Sequence, residues 1–184
     1  MTTINTITIR RAAPQDHRLV AALGRNTFLD SFGADNHPQD MADYLAQSFS
    51  PQIQADQLAQ PGSLFLIAEA GTQPVGYARL VEAPSPACVV VSTPIQLERL
   101  YAARQWIGHG VGSALINACI AEAKALDCDG IWLGVWEKNE RAIRFYQRWG
   151  FDQIGTQPFT LGHDRQIDLV MWLSLNGDIE NEPA

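Results

Sequence analysis

The sequence predicts one α/β domain with a mixed sheet and flanking helices. Two observations support this fold class. Over the 184 residues, segments with apolar side chains at helical spacing alternate with segments at strand spacing, in the order β-α-α-α-β-β-β-α-β-α-β-β. One late segment, "GIWLGVWE" (130–137), is apolar almost throughout, as expected of a strand that is buried on both faces beside a parallel neighbour. The length also fits a single domain.

The first half of the chain predicts a strand, three helices and a hairpin. Residues 6–12 alternate apolar and polar side chains and indicate a strand. Pro14 marks the start of the first helix, and two further helical segments follow at 39–50 and 51–59. After them, two apolar strands flank the short turn "GTQP", which predicts an antiparallel hairpin.

The second half predicts alternating strands and helices. A strand at 95–102 is followed by a helix whose apolar residues recur from 111 to 126 as one buried stripe. Asn139 is a favourable N-cap for the next helix, and Gly150 is a natural C-terminal stop. Two strands and an acidic tail complete the chain, at 151–159, 165–175 and 176–184. The composition of the tail predicts disorder, which leaves residues 1–175 as the folded domain.

Composition and charge argue against several classes of function. The net charge of −7 is unfavourable for a sequence-independent nucleic-acid binder, which needs a basic surface. There is no apolar signal core at the N-terminus and no run near the ~20 apolar residues of a membrane span, so we expect a cytoplasmic protein. Three cysteines without metal-type spacing predict reduced thiols, and the four histidines show no ligand spacing, so no metal is expected.

The segment "RQWIGHGVGSAL" (104–115) places three glycines at the start of a helix. Free N–H groups at a helix N-terminus bind anions, and glycines let a pyrophosphate group approach the backbone closely. A nucleoside-triphosphate loop is set aside because its lysine is missing. A dinucleotide fingerprint starting at Gly108 fits better, with Glu137 in the ribose-binding position, but Ser113 replaces its third glycine. A third pattern, Gln/Arg-x-x-Gly-x-Gly/Ala, matches residues 105–110 in full.

The third pattern resembles the pyrophosphate loop of the GNAT N-acetyltransferases, and the sequence is similar to that superfamily from about residue 6 to residue 175. The resemblance implies a single GNAT fold, whose mixed, mostly antiparallel sheet has splayed central strands. It also implies acetyl-CoA as co-substrate, with its pantetheine arm along the strand backbone in the gap and its pyrophosphate on the glycine loop. The residues that the resemblance assigns to acetyl-CoA are Leu100, Tyr101, Ala102, Gln105, Gly108, His109, Gly110, Val111, Gly112, Ser113 and Asn139.

Two residues are candidates for proton transfer. Tyr146 lies seven residues after Asn139, so the two share one face of the predicted helix. The resemblance gives Tyr146 the role of protonating the departing thiolate, which a phenol with an ordinary pKa of ~10 can do at neutral pH; the alternative is a tyrosine of the core. Glu98 is the candidate base for the acceptor amine, and the alternative is a structural glutamate paired with Arg79 or Arg99.

Three segments narrow the resemblance, because 27–50, 131–151 and 159–171 look like the PaiA-type bacterial acetyltransferases. That group acetylates polyamines such as spermidine and spermine, so the resemblance implies a polyamine acceptor. Carboxylates beside aromatic faces suit a polycation through charge pairing and cation–π contacts. The residues assigned to the acceptor site are Asp30, Phe32, Asn36, Trp136 and Glu137, with Asp40, Tyr44 and Phe159 as further candidates.

Together these features predict an N-acetyltransferase that moves acetyl from acetyl-CoA to a primary amine by direct attack in a ternary complex. The leading acceptor is a polyamine. Another amine, such as an amino acid, a peptide N-terminus or a drug, is the first alternative. A non-catalytic acyl-CoA-binding regulatory protein on the same fold is the second, and a nicotinamide-dependent reductase is a distant third. The resemblance also allows a homodimer, because GNAT domains often dimerise, but the sequence does not indicate the oligomeric state.

Overall fold

The computed structural model describes residues 6–176, which form one sheet with helices on both faces. Its strands are β1 Ile7–Arg11, β2 Ser63–Ala70, β3 Gln73–Val81, β4 Pro94–Ala102, β5 Gly130–Trp136, β6 Asp152–Leu161 and β7 Asp164–Ser174. Its α-helices are α1 His17–Phe32, α2 Pro38–Ser48, α3 Pro51–Ala59, α4 Val111–Ala125 and α5 Glu140–Arg148. Single 3₁₀ turns at Pro14–Asp16 and Arg104–Trp106 precede α1 and the loop before α4. The expected acidic tail lies outside the described residues except for Asn176, which donates a hydrogen bond to Asp129.

The sheet is mixed and mostly antiparallel, as expected. Its strand order is β1-β2-β3-β4-β5-β7-β6, and every neighbouring pair is antiparallel except β4 and β5. That parallel pair is short, because it starts at Pro94 opposite Gly130 and ends at Gln96 opposite Trp132. Beyond Gln96 the two strands separate, which confirms the splayed centre of the predicted fold.

Local signals explain where several helices begin. Proline is the first residue of both α2 and α3, where its missing N–H costs no hydrogen bond. Ser50 caps α3 by accepting a hydrogen bond from the Ile53 N–H at 3.2 Å. Asn139 caps α5 in the same way, with its Oδ1 3.2 Å from the Ala142 nitrogen. These residues therefore fix where α2, α3 and α5 begin.

Helices α4 and α5 cover one face of the sheet, and α1, α2 and α3 cover the other. The first face holds the largest apolar cluster, in which Leu115 and Ile116 of α4 and Leu133 of β5 are fully buried. The second face holds three smaller clusters, one around Phe28 of α1, one around Tyr77 of β3 and one around Trp132 of β5. Each face therefore has its own core.

A β-bulge in β4 changes the direction of its side chains halfway along the strand. Arg79 of β3 pairs with Arg99, whereas the next residue, Leu80, pairs with Leu97, so Glu98 is the extra residue. Because an inserted residue reverses the alternation of faces, Leu97 and Leu100 both pack against the α4 side although they are three residues apart. The side chains of Arg99 and of the alternate residue Tyr101 consequently face α1, α2 and α3. The bulge lies where β4 leaves β5.

Within residues 6–176, no helix combines the length and the apolar character that would be needed to cross a membrane. The same residues contain no group of three or more histidine, cysteine, aspartate or glutamate side chains that could hold a metal ion.

Candidate active site

A cavity of about 760 Å³ opens through the gap between β4 and β5. One end of its lining is the glycine loop and the start of α4, and the other end is formed by α1, α2 and the β6–β7 hairpin. Helix α5 and the separated parts of β4 and β5 form its walls. Ligand cavities in proteins commonly have volumes of this order. The splay of the sheet thus connects two sets of functional residues that lie far apart in sequence.

The backbone of β4 has unpaired groups in this gap. The Ala103 N–H donates to the Val75 carbonyl at 2.8 Å, which fixes the direction of the ladder with β3. Successive residues of an antiparallel strand point their N–H and C=O groups to opposite sides. The polar groups of Leu100 and Ala102 therefore point away from β3 and into the gap, where β5 is no longer paired. An extended ligand can hydrogen-bond there as an additional strand does.

The glycine loop offers a second set of unpaired donors. Gly108 and Gly110 have φ angles of +82° and +84°, and a Cβ atom on either would meet nothing within 4 Å. Gly110 is the N-cap of α4 and provides no side-chain acceptor. The first intrahelical bond is donated by Ala114 to the Gly110 carbonyl, so the N–H groups at 111–113 have no partner in the helix. Open backbone at the positive end of a helix dipole fits a pyrophosphate.

The residues assigned to acetyl-CoA lie at this end of the cavity with three exceptions. The cavity is lined by Leu100, Tyr101, Ala102, Gly108, Gly110, Gly112, Ser113 and Asn139. The Val111 side chain is fully buried in the core, so only its N–H can serve the loop. Gln105 lies in a separate shallow depression. His109 is turned back on its own loop, where its Nδ1 is 3.1 Å from the Ile107 carbonyl oxygen and its ring meets Trp106 edge-on.

Two arginines that the sequence analysis missed line the cavity from α5. Arg141 and Arg148 are seven residues apart, so they occupy one face of the helix. Both are exposed, and neither has an acidic partner among residues 6–176. They add positive charge to a wall of the cavity that also includes the glycine loop. The spacing of the two arginines could be seen in the sequence, but that this face of α5 points to the cavity could be seen only in the structure.

Tyr146 lies on α5 with its ring in the core and also lines the cavity. The side chain is 9% exposed and packs edge-on against Phe145 and Phe151. Burial raises the pKa of its phenol above the ordinary value, which keeps the hydroxyl protonated at neutral pH. Asn139 also lines the cavity. Its Oδ1 accepts the capping hydrogen bond, and its amide N–H groups remain available to a ligand.

Glu98 faces the cavity as the extra residue of the bulge, but its carboxylate already has partners. Its Oε2 accepts from Arg79 Nη1 at 2.5 Å and lies 3.4 Å from Arg99 Nε. Arg79 is only 3% exposed and is held further by Ser63 and Gln60. This arrangement is the structural alternative considered for Glu98 above.

The acceptor residues predicted from the sequence separate into two groups. Phe32, Asn36 and Trp136 line the cavity, and the rings of Phe32 and Trp136 meet with their centroids 6.3 Å apart. Asp30 is exposed in the same shallow depression as Gln105, because it lies two residues from Phe32 and so points away on the helix. Glu137 is also exposed and outside the cavity, because it follows Trp136 in strand alternation.

The three further candidates also differ in position. Tyr44 and Phe159 line the cavity, and their rings meet edge-on with a centroid distance of 5.9 Å. Asp40 lies outside it, against the β6–β7 turn, where its Oδ1 is 2.9 Å from Nδ1 of His163. Asp40 therefore connects α2 to the hairpin.

Asp168 of β7 is a cavity residue that sequence reasoning missed. It pairs with Trp136 of β5 and Gln157 of β6 in the sheet, and it lines the acceptor end. Desolvation by burial raises the pKa of its carboxyl to about 6. The sequence signal was a lone aspartate directly before the apolar run "LVMWL". That signal does not indicate which strands lie on either side.

Comparison with known proteins agrees with this geometry. Residues 25–151 match the model of the acetyltransferase (GNAT) family. An uncharacterised N-acetyltransferase of Lactobacillus delbrueckii subsp. lactis is 31% identical over 150 residues, which cover 82% of this chain and 87% of that protein. The spermine/spermidine N(1)-acetyltransferase of Bacillus subtilis is 35% identical over 66 residues, 35% of this chain and 43% of the relative.

A solved structure has the same fold along nearly the whole chain. The PaiA N-acetyltransferase of Thermoplasma acidophilum, crystallised in complex with coenzyme A, superimposes with a TM-score of 0.75 over 92% of this chain and 99% of its own, at 17% identity. The long sequence matches identify the family, and this superposition shows that the fold is shared. The chain belongs to the GNAT acetyltransferase family and is an acetyl-CoA-dependent N-acetyltransferase.

Proposed function

We propose that this enzyme acetylates a primary amine of a polyamine by direct attack in a ternary complex with acetyl-CoA. The observation that supports the proposal is that one continuous cavity joins unpaired backbone donors at the start of α4 to an aromatic chamber with an ionisable carboxylate. Two substrates can occupy its two ends together, so that the amine reaches the thioester without an acylated enzyme as intermediate.

The donor end suits the anionic and extended parts of acetyl-CoA. The N–H groups at 111–113 and the arginines Arg141 and Arg148 would hold the phosphates, through the helix dipole and through charge. The polar backbone of Leu100 and Ala102 would pair with the pantetheine arm. Acetyl-CoA supplies the activated acetyl group, and a backbone N–H aimed at its carbonyl oxygen would stabilise negative charge that develops there.

Tyr146 would supply the proton that the departing sulfur needs. Its hydroxyl has no hydrogen-bond partner in the described part of the chain, and the raised pKa keeps it protonated, so it can donate its proton to the sulfur as the carbon–sulfur bond breaks. The core packing of its ring against Phe145 and Phe151 would fix the position of the hydroxyl. Both interpretations of this residue from the sequence, core and catalytic, are thus compatible.

The acceptor end suits a cation with an alkyl chain. The rings of Phe32, Tyr44, Trp136 and Phe159 form its walls, and aromatic faces attract ammonium groups. Asp168 supplies a carboxylate inside. Asp164, four residues earlier on the same strand and therefore on the same face, is an exposed second carboxylate outside the cavity lining. At the strand rise these two are about 13 Å apart. An extended tri- or tetra-amine can span that distance, whereas a short monoamine cannot.

The test is acetyl-CoA consumption with an amine panel that contains spermidine, spermine, putrescine, amino acids, short peptides and an aminoglycoside. We expect the highest kcat/KM with spermidine or spermine. The Asp164→Asn variant should raise KM for these long amines several-fold and leave KM for propylamine unchanged, because only the long amines reach both carboxylates. Selective turnover of an amino acid or peptide would replace the polyamine as substrate, and coenzyme A binding without turnover of any amine would overturn the enzymatic mechanism.

A further inference from the structure

We propose that Asp168, and not Glu98, accepts the proton of the attacking amine. The inference rests on the proposed function, because it requires an amine acceptor at the aromatic end of the cavity. It concerns a residue of β7 that neither the motifs of the sequence nor the glycine loop indicates.

The carboxylate of Asp168 lies against β5 where the sheet opens. A Cβ atom added to Gly134 would be 3.0 Å from Asp168 Oδ2 and 2.7 Å from Gln157 Nε2. Gly134 comes two residues after Trp132, the last residue of β5 that pairs with β4. The absence of a side chain at Gly134 therefore leaves room for the carboxylate of Asp168 beside the gap. That is the point where an amine from the acceptor end meets a thioester lying along β4.

The carboxylate of Asp168 has no partner among the described residues, whereas that of Glu98 is engaged by two arginines. Among the described residues the carboxylate of Asp168 has neither a hydrogen-bond donor nor an ion-pair partner. Glu98 accepts from buried Arg79 and lies beside Arg99. The Glu98 carboxylate is thus the counter-charge of a guanidinium that is 3% exposed. The bulge therefore uses Glu98 to neutralise the arginines.

The charged and titratable groups around Asp168 come from three elements. Its direct strand neighbours, Trp136 and Gln157, are neutral. The charged and titratable side chains that line the same cavity are Tyr44 of α2, Glu98, Arg99 and Tyr101 of β4, and Arg141, Tyr146 and Arg148 of α5. The Arg99 guanidinium lies over the Phe49 ring and near Gln57, with Glu98 at 3.4 Å. Within residues 6–176, no basic side chain forms an ion pair with Asp168.

The proton balance of the reaction requires such a group. The acceptor enters as an ammonium ion, R–NH₃⁺, because an alkyl amine has a pKa of ~10. As the nitrogen–carbon bond forms and the carbon–sulfur bond breaks, R–NH₃⁺ becomes R–NH–acetyl and loses two protons. One proton ends on the sulfur of coenzyme A, supplied through Tyr146. The other passes to Asp168, which must return it to water before the next turnover.

The environment of Asp168 suits both halves of that task. Burial raises the pKa of its carboxyl to about 6, so the group is a better base than an exposed aspartate and is still ionised at neutral pH. A base with a pKa near the working pH combines the correct protonation state with the ability to accept a proton. An ionised carboxylate without a partner, enclosed by aromatic rings, also attracts the ammonium ion before the transfer.

The experiment compares wild type, Asp168→Asn, Glu98→Gln and the matched control Asp152→Asn. Asp152 is an exposed aspartate of β6 outside the cavity. For each protein, kcat/KM is measured from acidic to alkaline pH with spermidine, or with the most active amine of the panel. Near neutral pH, Asp168→Asn should lower kcat/KM by ~10²-fold or more. The loss should shrink as the pH rises, because the amine then loses its first proton in solution.

Two further measurements separate a base from a structural residue. Hydroxylamine is uncharged near neutral pH, so with this nucleophile Asp168→Asn should lose far less activity than with the alkyl amine. Calorimetric affinity for acetyl-CoA should match wild type, and Asp152→Asn should match wild type in every assay. Glu98→Gln should keep the shape of the wild-type pH profile.

The base assignment and the proposed function can be refuted separately. If wild type acetylates an amine but Asp168→Asn loses the same factor at every pH and with both nucleophiles, the base assignment is overturned while the proposed function stands. The assignment is also overturned if Glu98→Gln, rather than Asp168→Asn, removes the pH dependence. Absence of turnover by wild type with every amine would instead overturn the proposed function.

Discussion

Truncation of Glu98 should lower the free energy of unfolding by more than truncation of an exposed glutamate does, because its partner Arg79 is buried. Arg79 is 3% exposed, and Glu98 is its only anionic partner within residues 6–176. Breaking a buried ion pair from one side typically costs about 3–5 kcal/mol. The Glu98 side chain is 31% exposed, so water replaces part of the lost interaction. A charged hydrogen bond alone contributes about 1.5–3 kcal/mol, and we therefore expect Glu98→Ala to cost about 2–3 kcal/mol.

Urea unfolding and thermal unfolding at neutral pH measure this cost directly. For a domain of this size about 2–4 °C of Tm corresponds to each kcal/mol, so Tm should fall by about 4–12 °C. The control is Glu140→Ala, which removes an exposed i,i+4 pair with Arg144 and should leave Tm nearly unchanged. The double variant Arg79→Met/Glu98→Ala should recover part of the loss, because it removes the more deeply buried of the two guanidinium groups that Glu98 neutralises. Equal Tm values for Glu98→Ala and Glu140→Ala would refute the reasoning.

Three further predictions concern other parts of the molecule. Tyr146→Phe should lower kcat by ~10²-fold or more without changing acetyl-CoA affinity, and unchanged turnover would rule out its role as acid. Gly110→Ala forces an alanine to a φ of +84° and should cost about 1–2 kcal/mol and weaken calorimetric acetyl-CoA binding, whereas a full-strength complex would contradict the loop assignment. The ion pair with Asp40 raises the pKa of His163 above 6.5, so its stabilisation is complete below that value and is lost as the pH rises through the folded-state pKa. His163→Gln should therefore flatten the decrease of Tm on the alkaline side, and identical pH profiles would exclude the pair as its cause.

The order and type of the elements could be predicted from the sequence because each has a strong local pattern. The hairpin of β2 and β3, the long helix after the glycines and the capped helix after Asn139 all carry their own periodicity and end signals. The main difference at a boundary is α1: the sequence predicts an end near Leu29, but the helix extends to Phe32 because its last turn packs Phe28 and Phe32 together against Tyr101. Tertiary contact, and not local propensity, sets that end.

The donor end of the cavity was readable for the same reason, and the acceptor end was not. The loop at 105–110 is a contiguous motif, so its residues come together in any fold that forms the helix after it. The acceptor end depends on strand order. Because β7 lies between β5 and β6, Asp168 is adjacent to Gly134 although 34 positions separate them, and Asp30 and Glu137 point elsewhere through helix and strand phase. A single sequence indicates the face of a helix or strand on which a residue lies, but not which element lies beside that face.

In the proposed mechanism, Tyr146 as acid and Asp168 as base lie on opposite faces of the sheet, and the gap in the sheet would let both serve one reaction. Tyr146 belongs to the face that α4 and α5 cover, whereas Asp168 and Trp136 share the other face. A continuous β4–β5 ladder would separate the two with paired backbone. Because that ladder ends after Gln96 and the bulge at Glu98 follows at once, the cavity passes between the strands and reaches both side chains. The sulfur can then receive its proton from one face while the amine loses its proton to the other, so acid and base do not neutralise each other by direct contact.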